Sequence, residues 1–496
     1  MSDGLTAREA IALVAEYFDE TAETAETPTA PAAPAAPAAE ARPPRATDRV
    51  DGPIGWDGYD ALRARAWSRS GEEESVLWGT ARIGGRRAVV VSFEFRFMGG
   101  SLGERTGDRL EAAYAYARTG RLPLVSLIAT GGSRMQEGMV ALTQLHRVAR
   151  ASALLRAAGI PQLAVVRDPT TGGGWATLGA GADVILALPG AQIAFAGSRV
   201  RTPSEPPDAN LSAYTAEGQL DAGQIDAVVE PEKLADTVSL WLALLAGGTG
   251  ATGATAGTAG TGGTAGTGST ADPAPPPHAL GGTTGAAPTG WDAVQRARSA
   301  TRPRAAAYLD AYFDERLPVH GDRCGGADPG MLCGFGLHDR RPVAYAAQAG
   351  TATRPAGYRT AARLIRLADR LGIPVLTLVD TPGAANDAEA ERDGAGAAIA
   401  AAFAAVAEAR VPVTTLVIGE GGSGGALALA APGNTWVTPD SYFSVIAPEL
   451  AAAILKRAPS EAAATADQLR VRPQDLVELG VVRGVVPPAD GGTGRP

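Results

Sequence analysis

The eight residues Gly419-Glu-Gly-Gly-Ser-Gly-Gly-Ala426 follow the apolar run Val413–Ile418 and lead into an Ala/Leu segment. That order reads as a buried strand, a tight turn and the start of a helix. Such a turn leaves the first N–H groups of the helix without carbonyl partners, aimed outward with the helix dipole behind them. Three chemistries use this arrangement. Gly419, Gly421 and Gly424 satisfy G-x-G-x-x-G, but a dinucleotide site needs an acidic residue about 20 positions on, at a strand end. Asp440, the nearby candidate, sits in Thr-Pro-Asp-Ser, a turn. Gly421, Ser423 and Gly425 satisfy the nucleophile elbow G-x-S-x-G, which needs a histidine later in the chain. His146, His278, His320 and His338 all precede Ser423, so chain order excludes an α/β-hydrolase. The third chemistry is an oxyanion hole built of main-chain amides, and an internal repeat supports it.

Pro123 opens Pro-Leu-Val-Ser-Leu-Ile-Ala-Thr-Gly-Gly, and Pro374, 251 residues later (374 − 123), opens Pro-Val-Leu-Thr-Leu-Val-Asp-Thr-Pro-Gly. Pro161 before Gln-Leu-Ala-Val-Val and Pro412 before Val-Thr-Thr-Leu-Val share that offset. So do Gly132 with Gly383, and Gly173-Gly174 with Gly424-Gly425. Two buried strands, two glycine turns and the helix between them recur without a gap, which is the mark of a duplicated domain. A hydride-transfer or hydrolase reading explains one turn; a duplicated amide-lined site explains all four.

At 496 residues the chain has room for two domains with full cores. A net charge of −9 argues against nucleic acid as a partner. Of 44 basic residues only Lys233 and Lys456 are lysine, a compositional bias that lowers the functional weight of any single arginine. Cys324 and Cys333 match no zinc spacing, so no metal is expected. Neither a signal peptide nor an apolar span of about 18 residues is present, so a cytoplasmic protein with no membrane partner is expected.

In chain order, residues 1–20 carry a short amphipathic helix, expected to attach only loosely as chain termini do: Thr6 and Glu9 fit a capping box, and Leu13, Tyr17 and Phe18 share a face. Residues 21–48 are an Ala/Pro/Thr/Glu tether that cannot bury enough surface to order itself. The first α/β domain spans 50–245, with a hairpin around Gly84-Gly85 and then strand–turn–helix units in right-handed order. Residues 246–290, Gly/Thr/Ala-rich with a Pro-rich end, read as a flexible linker. The second domain, 291–490, repeats the scheme after a helical segment Arg302–Arg316. No side-chain acid–base pair stands out near the glycines, so the substrate itself is expected to supply the base.

Phe95-Arg-Phe-Met-Gly-Gly-Ser-Leu-Gly103, Thr130-Gly-Gly-Ser-Arg-Met-Gln-Glu-Gly138, Asp168-Pro-Thr-Thr-Gly-Gly173 and Phe195-Ala-Gly-Ser-Arg199 resemble the β subunit of bacterial acetyl-CoA carboxylase carboxyltransferase. Leu317-Pro-Val-His-Gly-Asp-Arg323, Asp380-Thr-Pro-Gly-Ala384, Ile418-Gly-Glu-Gly-Gly-Ser-Gly-Gly-Ala426 and Tyr442-Phe-Ser-Val-Ile-Ala-Pro-Glu449 are similar to its α subunit. The resemblance covers most of both halves in β-then-α order. It implies two tandem crotonase-like domains of repeated β-β-α units. The implied activity transfers a carboxyl group from carboxybiotin, on a separate carrier, to acetyl-CoA or another short acyl-CoA.

By the same resemblance, the amides of Gly131, Gly132, Gly172, Gly173 and Gly174 hold the thioester oxygen, and those of Gly383, Ala384, Gly424 and Gly425 hold the biotin ureido oxygen. Gly99, Gly100, Gly422 and Ser423 would line the ligands, with Arg82, Arg86 and Arg96 candidates for CoA phosphates, although solvated surface arginines are the commoner case. In the family's proposed chemistry CO2 leaves carboxybiotin, the biotin so formed takes the α-proton, and the thioester enolate attacks CO2. The implied partners are a biotin carboxyl carrier protein and a biotin carboxylase, because neither lysine lies in a Met-Lys-Met biotinylation motif. A homodimer or higher homo-oligomer is implied as well. The chain departs from the family in lacking the β-side four-cysteine zinc ribbon, in a shortened loop at 350–359, and in Ala385-Asn-Asp387 standing where the family carries Tyr-Pro-Gly. Rival readings are a decarboxylase of malonyl or methylmalonyl thioesters, a carrier-binding scaffold without activity, and, more distantly, a hydratase or isomerase.

Overall fold

The two proline-led apolar runs of each half become the centres of two sheets in the computed structural model, which describes residues 4–21, 50–194, 211–245, 271–281, 283 and 285–489. The chain divides into units Met1–Ala246 and Gly247–Pro496. Among the described residues no helix is long and apolar enough to cross a membrane.

The first unit contains β1 (Tyr17–Glu20), β2 (Val76–Ile83), β3 (Arg86–Phe93), β4 (Leu124–Thr130), β5 (Gln162–Thr171), β6 (Val184–Ala187), β7 (Ile193–Ala194) and β8 (Ala227–Val228). Their order is β1-β2-β3-β4-β5-β6-β8, with β7 paired to the end of β5. β1–β2 and β2–β3 are antiparallel, and every later pair is parallel. Parallel strands need helical crossovers that cover the faces of the sheet. Helices Glu104–Gly120 and Gly138–Ala157 flank β4 in sequence, and β4 is buried along its whole length. Continuous apolar runs rather than alternation follow from that burial. Val89, Val91, Leu110, Ile128, Val166 and Ile185 form the heart of the core.

The second unit contains β9 (Glu315–Pro318), β10 (Met331–His338), β11 (Arg341–Gln348), β12 (Val375–Thr381), β13 (Val413–Gly422), β14 (Thr435–Val437), β15 (Tyr442–Ser444) and β16 (Gly484–Val485). Its order, β16-β14-β13-β12-β11-β10-β9 with β15 on β13, is that of the first sheet. The repeat reaches fine detail. The β4–β5 register slips between Ile128 and Thr130, and the β12–β13 register slips between Val379 and Thr381. The helices entering each strand pair, Glu104–Gly120 and Pro355–Leu371, both have 17 residues.

Four expectations need correction. The N-terminal helix is Ala7–Ala12, and Tyr17 and Phe18 belong to β1, because the open edge of β2 offers them backbone partners. That arm is packed rather than loose: Ala7 is fully buried, its N–H donates to Glu94 at 2.8 Å, and its carbonyl accepts from Ser92 at 2.9 Å. The Pro-rich end of the presumed linker also belongs to a fold. Ala274 and Ala279 are buried in the second core, Thr414 Oγ1 donates to Ala274 O at 2.7 Å, and Tyr312 Oη donates to Pro275 O at 2.9 Å. Prolines, lacking N–H groups, suit such an extended strap laid on aromatic rings. Finally, the helical segment placed at 302–316 is Ala305–Tyr312, and Glu315–Arg316 open β9. Residues 22–48 of the tether, 246–270 of the linker and the Phe195–Arg199 motif lie outside the described residues.

Candidate functional site

In the first unit β4 and β5 end side by side in the two glycine turns. The Phe97–Leu102 segment lies along the first turn: Gly131 N–H donates to Gly99 O at 2.9 Å, Leu102 N–H to Gly132 O at 2.9 Å, and Arg134 N–H to Leu102 O at 2.9 Å. Gly132 N–H donates to Thr130 Oγ1 at 3.1 Å. The amides of Gly131 and Gly132 are therefore engaged inside the protein, which corrects their assignment as hole donors. Ser133 N–H, facing the opposite way between two residues bonded to Leu102, has no acceptor among the described residues. Beside it the helix Gly172–Gly174 begins, whose first N–H groups have no preceding helical carbonyl. The two turns touch: a Cβ on Gly172 would lie 3.1 Å from Gly132 Cα.

The second unit repeats these bonds but for one: Pro382, standing where Gly131 stands, has no N–H to donate. Thr353 N–H donates to Gly383 O at 3.1 Å, Ala385 N–H to Thr353 O at 2.9 Å, and Gly383 N–H to Thr381 Oγ1 at 3.1 Å. Gly383 is thus engaged as Gly132 is, and Ala384 N–H is left in the place of Ser133 N–H. Gly425 lies so close that any Cβ there would run into Ala384 N and Gly383 C. Its missing side chain keeps the Ala384 amide uncovered. Gly424 is exposed, with nothing within 4 Å of an added Cβ. The amides brought together are then Ser133 with Gly172–Gly174, and Ala384 with Gly424-Gly425. Ser133 was missed because its signal is a hydrogen-bond parity set by the Leu102 bridge, not a residue type.

A buried ionic cluster braces the first turn. Arg134, Glu74, Glu137 and Tyr59 are each at most 1% exposed. Arg134 pairs with Glu74 and, at 3.1 Å, with Glu137; it also donates to Ser101 O at 2.8 Å, and Tyr59 Oη donates to Glu137. Glu137 accepts the Glu104 N–H at 2.6 Å, tying in the next helix. Burial pushes the Glu74 carboxyl up, but the Arg134 charge and hydrogen bonds outweigh it and hold the group at about 2. The same burial, with Glu137 beside it, raises the Tyr59 phenol. In the second unit Asp380, just before the turn, accepts from Arg302 at 2.9 Å, from Arg304 at 3.1 Å and from Glu420 N–H at 3.1 Å.

Other expected ligand residues scatter. Gly99 and Gly100 flank the first turn and Gly422 and Ser423 form the fourth, with the Ser423 side chain exposed. Arg96 lies beyond the end of β3, donating to Gly4 O at 2.9 Å. Arg82 and Arg86 do not reach the turns. They sit at the β2–β3 hairpin, before the residue that pairs with Leu124. The length of β4, roughly 20 Å at about 3.3 Å per residue, separates them from Gly131.

Residues 284–496 match the family "Acetyl co-enzyme A carboxylase carboxyltransferase-like", and residues 55–236 match the "Carboxyl transferase domain" family. The acetyl-coenzyme A carboxylase carboxyl transferase subunits beta/alpha of Salinispora arenicola is 40% identical over 437 residues, covering 85% of this chain and 75% of that protein. The probable biotin-dependent acyl-coenzyme A carboxylase beta3 subunit of Mycobacterium bovis is 31% identical over 436 residues, covering 87% of this chain and 83% of that one. Among solved structures the transcarboxylase 12S protein superposes with a TM-score of 0.73 at 21% identity, covering 98% of this chain and 87% of its own. That likeness establishes the tandem crotonase-like fold.

Proposed function

The chain belongs to the carboxyltransferase family of acyl-coenzyme A carboxylases, and from that premise we propose that it moves a carboxyl group from carboxybiotin, on a separate carrier protein, to the α-carbon of acetyl-CoA, giving malonyl-CoA. The observation that carries this reading is the doubling of one donor arrangement, Ser133 with Gly172–Gly174 and Ala384 with Gly424-Gly425. Each donor set fits a planar carbonyl oxygen, because the glycines leave open the space that side chains would fill.

In the first unit the Ser133 and Gly172–Gly174 amides hold the thioester oxygen and strengthen their bonds as negative charge grows on it. Losing one such donor typically costs about 2.7–4 kcal/mol of transition-state stabilisation. In the second unit Ala384, Gly424 and Gly425 do the same for the ureido oxygen. Carboxybiotin, when bound, supplies both the carboxyl group and the base. The Arg134 cluster holds the first turn rigid, so its amides need little reorganisation. The reading requires a biotin carrier protein and a biotin carboxylase as partners, a homo-oligomeric assembly, and a cytoplasmic location.

The test incubates the purified chain with malonyl-CoA and free biotin and follows acetyl-CoA. Biotin-dependent acetyl-CoA formation is the expected result. Release of CO2 at the same rate without biotin would replace the reading by a decarboxylase. Carrier binding with no turnover would make the chain a scaffold. Parallel assays with longer acyl-CoA substrates decide the acyl preference.

A further inference from the structure

The second unit has a surface pocket of about 430 Å3 beside its first glycine turn, lined by Asp328, Pro329, Gly330, Ala352, Arg354 and Ala385 among others. Its meaning comes from the internal repeat. The backbone bonds that equate Leu102 with Thr353 also equate Arg134 with Ala385 and Ser101 with Ala352. At the start of the sheet, Glu94 N–H donates to Ser75 O at 2.9 Å and Ala349 N–H to Gly330 O at 2.9 Å, so Ser75 corresponds to Gly330 and Glu74 to Pro329. Glu74, Ser75 and Ser101 each contact Arg134. The pocket therefore occupies the place where the sister domain buries a guanidinium against a carboxylate.

The cationic half of that pair is gone from the second unit; the anionic half is kept. Asp328 stands one position before the Glu74 equivalent, and its Oδ2 lies directly over Gly357 Cα, where any Cβ would collide with it. Gly357 corresponds to Thr106, whose hydroxyl donates to Glu74 at 3.1 Å. The two carboxylates thus fill one position by different routes. Asp328 accepts the Gly330 and Arg354 N–H groups at 2.8 Å each and has no side-chain cation among the described residues. The Arg354 guanidinium turns to Asp387 at 3.3 Å and Glu389 at 2.8 Å. Burial raises the Asp328 carboxyl, outweighing the two N–H bonds and the charge of Arg354, whose guanidinium is spent on Asp387 and Glu389.

We propose that this pocket binds a guanidinium-bearing ligand, seated on Asp328 in the position that Arg134 takes in the sister domain. Planar N–H donors, a carboxylate and a freed main-chain carbonyl at Ala352 make the complementary set. The proposal stands apart from the transferase reading, and its test needs neither biotin nor CoA. Methylguanidinium is titrated into the full chain and followed by ligand-observed NMR, with methylurea as the neutral isostere. Saturable binding is expected, at least about tenfold weaker for methylurea, since one charge-assisted contact is worth about that much. Asp328→Asn should abolish it with the circular dichroism unchanged, and Ala385→Arg should abolish it by filling the site from within. N-acetyl-arginine amide binding more tightly than methylguanidinium identifies a protein arginine as the source; equal binding identifies a free small cation. Equal affinity for methylurea, or full affinity in Asp328→Asn, overturns the proposal.

Discussion

Adjacent glycines in the fourth turn do different jobs, and substitution separates them. Gly424 is exposed, with open space where a side chain would go, whereas Gly425 is packed on the backbone of Gly383 and Ala384. Gly424→Val keeps its N–H but puts a side chain into the open space before it, and is therefore expected to leave the melting temperature nearly unchanged while turnover drops on the order of 10²–10³-fold, about what an inaccessible oxyanion donor costs. Gly425→Ala should lose both, because overpacking against backbone costs about 1–3 kcal/mol or more. Paired thermal melts and acetyl-CoA assays check this; equal behaviour of the two variants removes the assignment. Ser423 belongs to the same turn. It holds φ at +57° where its sister Gly172 holds +67°, a conformation that costs a non-glycine residue about 1–2 kcal/mol. The glycines were legible in sequence because a turn of this shape demands them. The amide that each turn leaves free was not, since that depends on which carbonyl the neighbouring segment offers.

The turn after β4 is held by side chains drawn from four segments, and that element predicts its own pH dependence. The folded-state Glu74 carboxyl sits at about 2, below its ordinary value of 4.5. A lowered carboxyl contributes stability that is complete above the unfolded value and is lost as pH falls toward the folded one. Acid unfolding of the first unit should therefore steepen between about pH 4.5 and 2, and Glu74→Gln should flatten that window in denaturant titrations. Arg134→Met leaves Glu74 and Glu137 buried without a counter-charge and is expected to cost about 3–5 kcal/mol. Tyr59→Phe removes one buried hydroxyl and should cost about 1–2 kcal/mol. Arg134 and Glu137 stand three residues apart just before the helix Gly138–Ala157, where a glutamate is an ordinary dipole partner. What the sequence could not supply was Glu74 and Tyr59, separated from Arg134 by 60 and 75 residues. Contacts of that span have no periodic signature.

At the scale of the molecule, the duplication was readable because both copies keep the strands, turns and intervening helix at one spacing. The edges of the domains were misread. Ala/Pro-rich segments look unable to order themselves by composition, yet the strap at 271–281 is held by what it lies on rather than by its own residues. Ala274 and Ala279 share a core with Tyr308, Tyr312 and Leu416, and the strap exchanges hydrogen bonds with Thr414, Tyr312 and Tyr308. Ala279 also pairs with the segment after β16, accepting from Ala489 N–H at 2.8 Å. Each sheet is built wholly from strands of its own unit, so damage to one strap should register in one unit alone. Replacing residues 273–277 with a Gly/Ser sequence of equal length removes the Ala274 contact and the extended prolines while keeping the chain intact. The Gly/Ser chain keeps its carbonyls but not the stiffness that holds them, so two hydrogen bonds given up to strap mobility at about 1 kcal/mol each, together with newly wetted tyrosine faces, predict a loss of about 3 kcal/mol in the second unit. Hydrogen exchange resolved by peptide should show protection falling across β9–β13 and unchanged across β2–β5. Unchanged protection in the second unit would return residues 271–281 to the role of a passive linker.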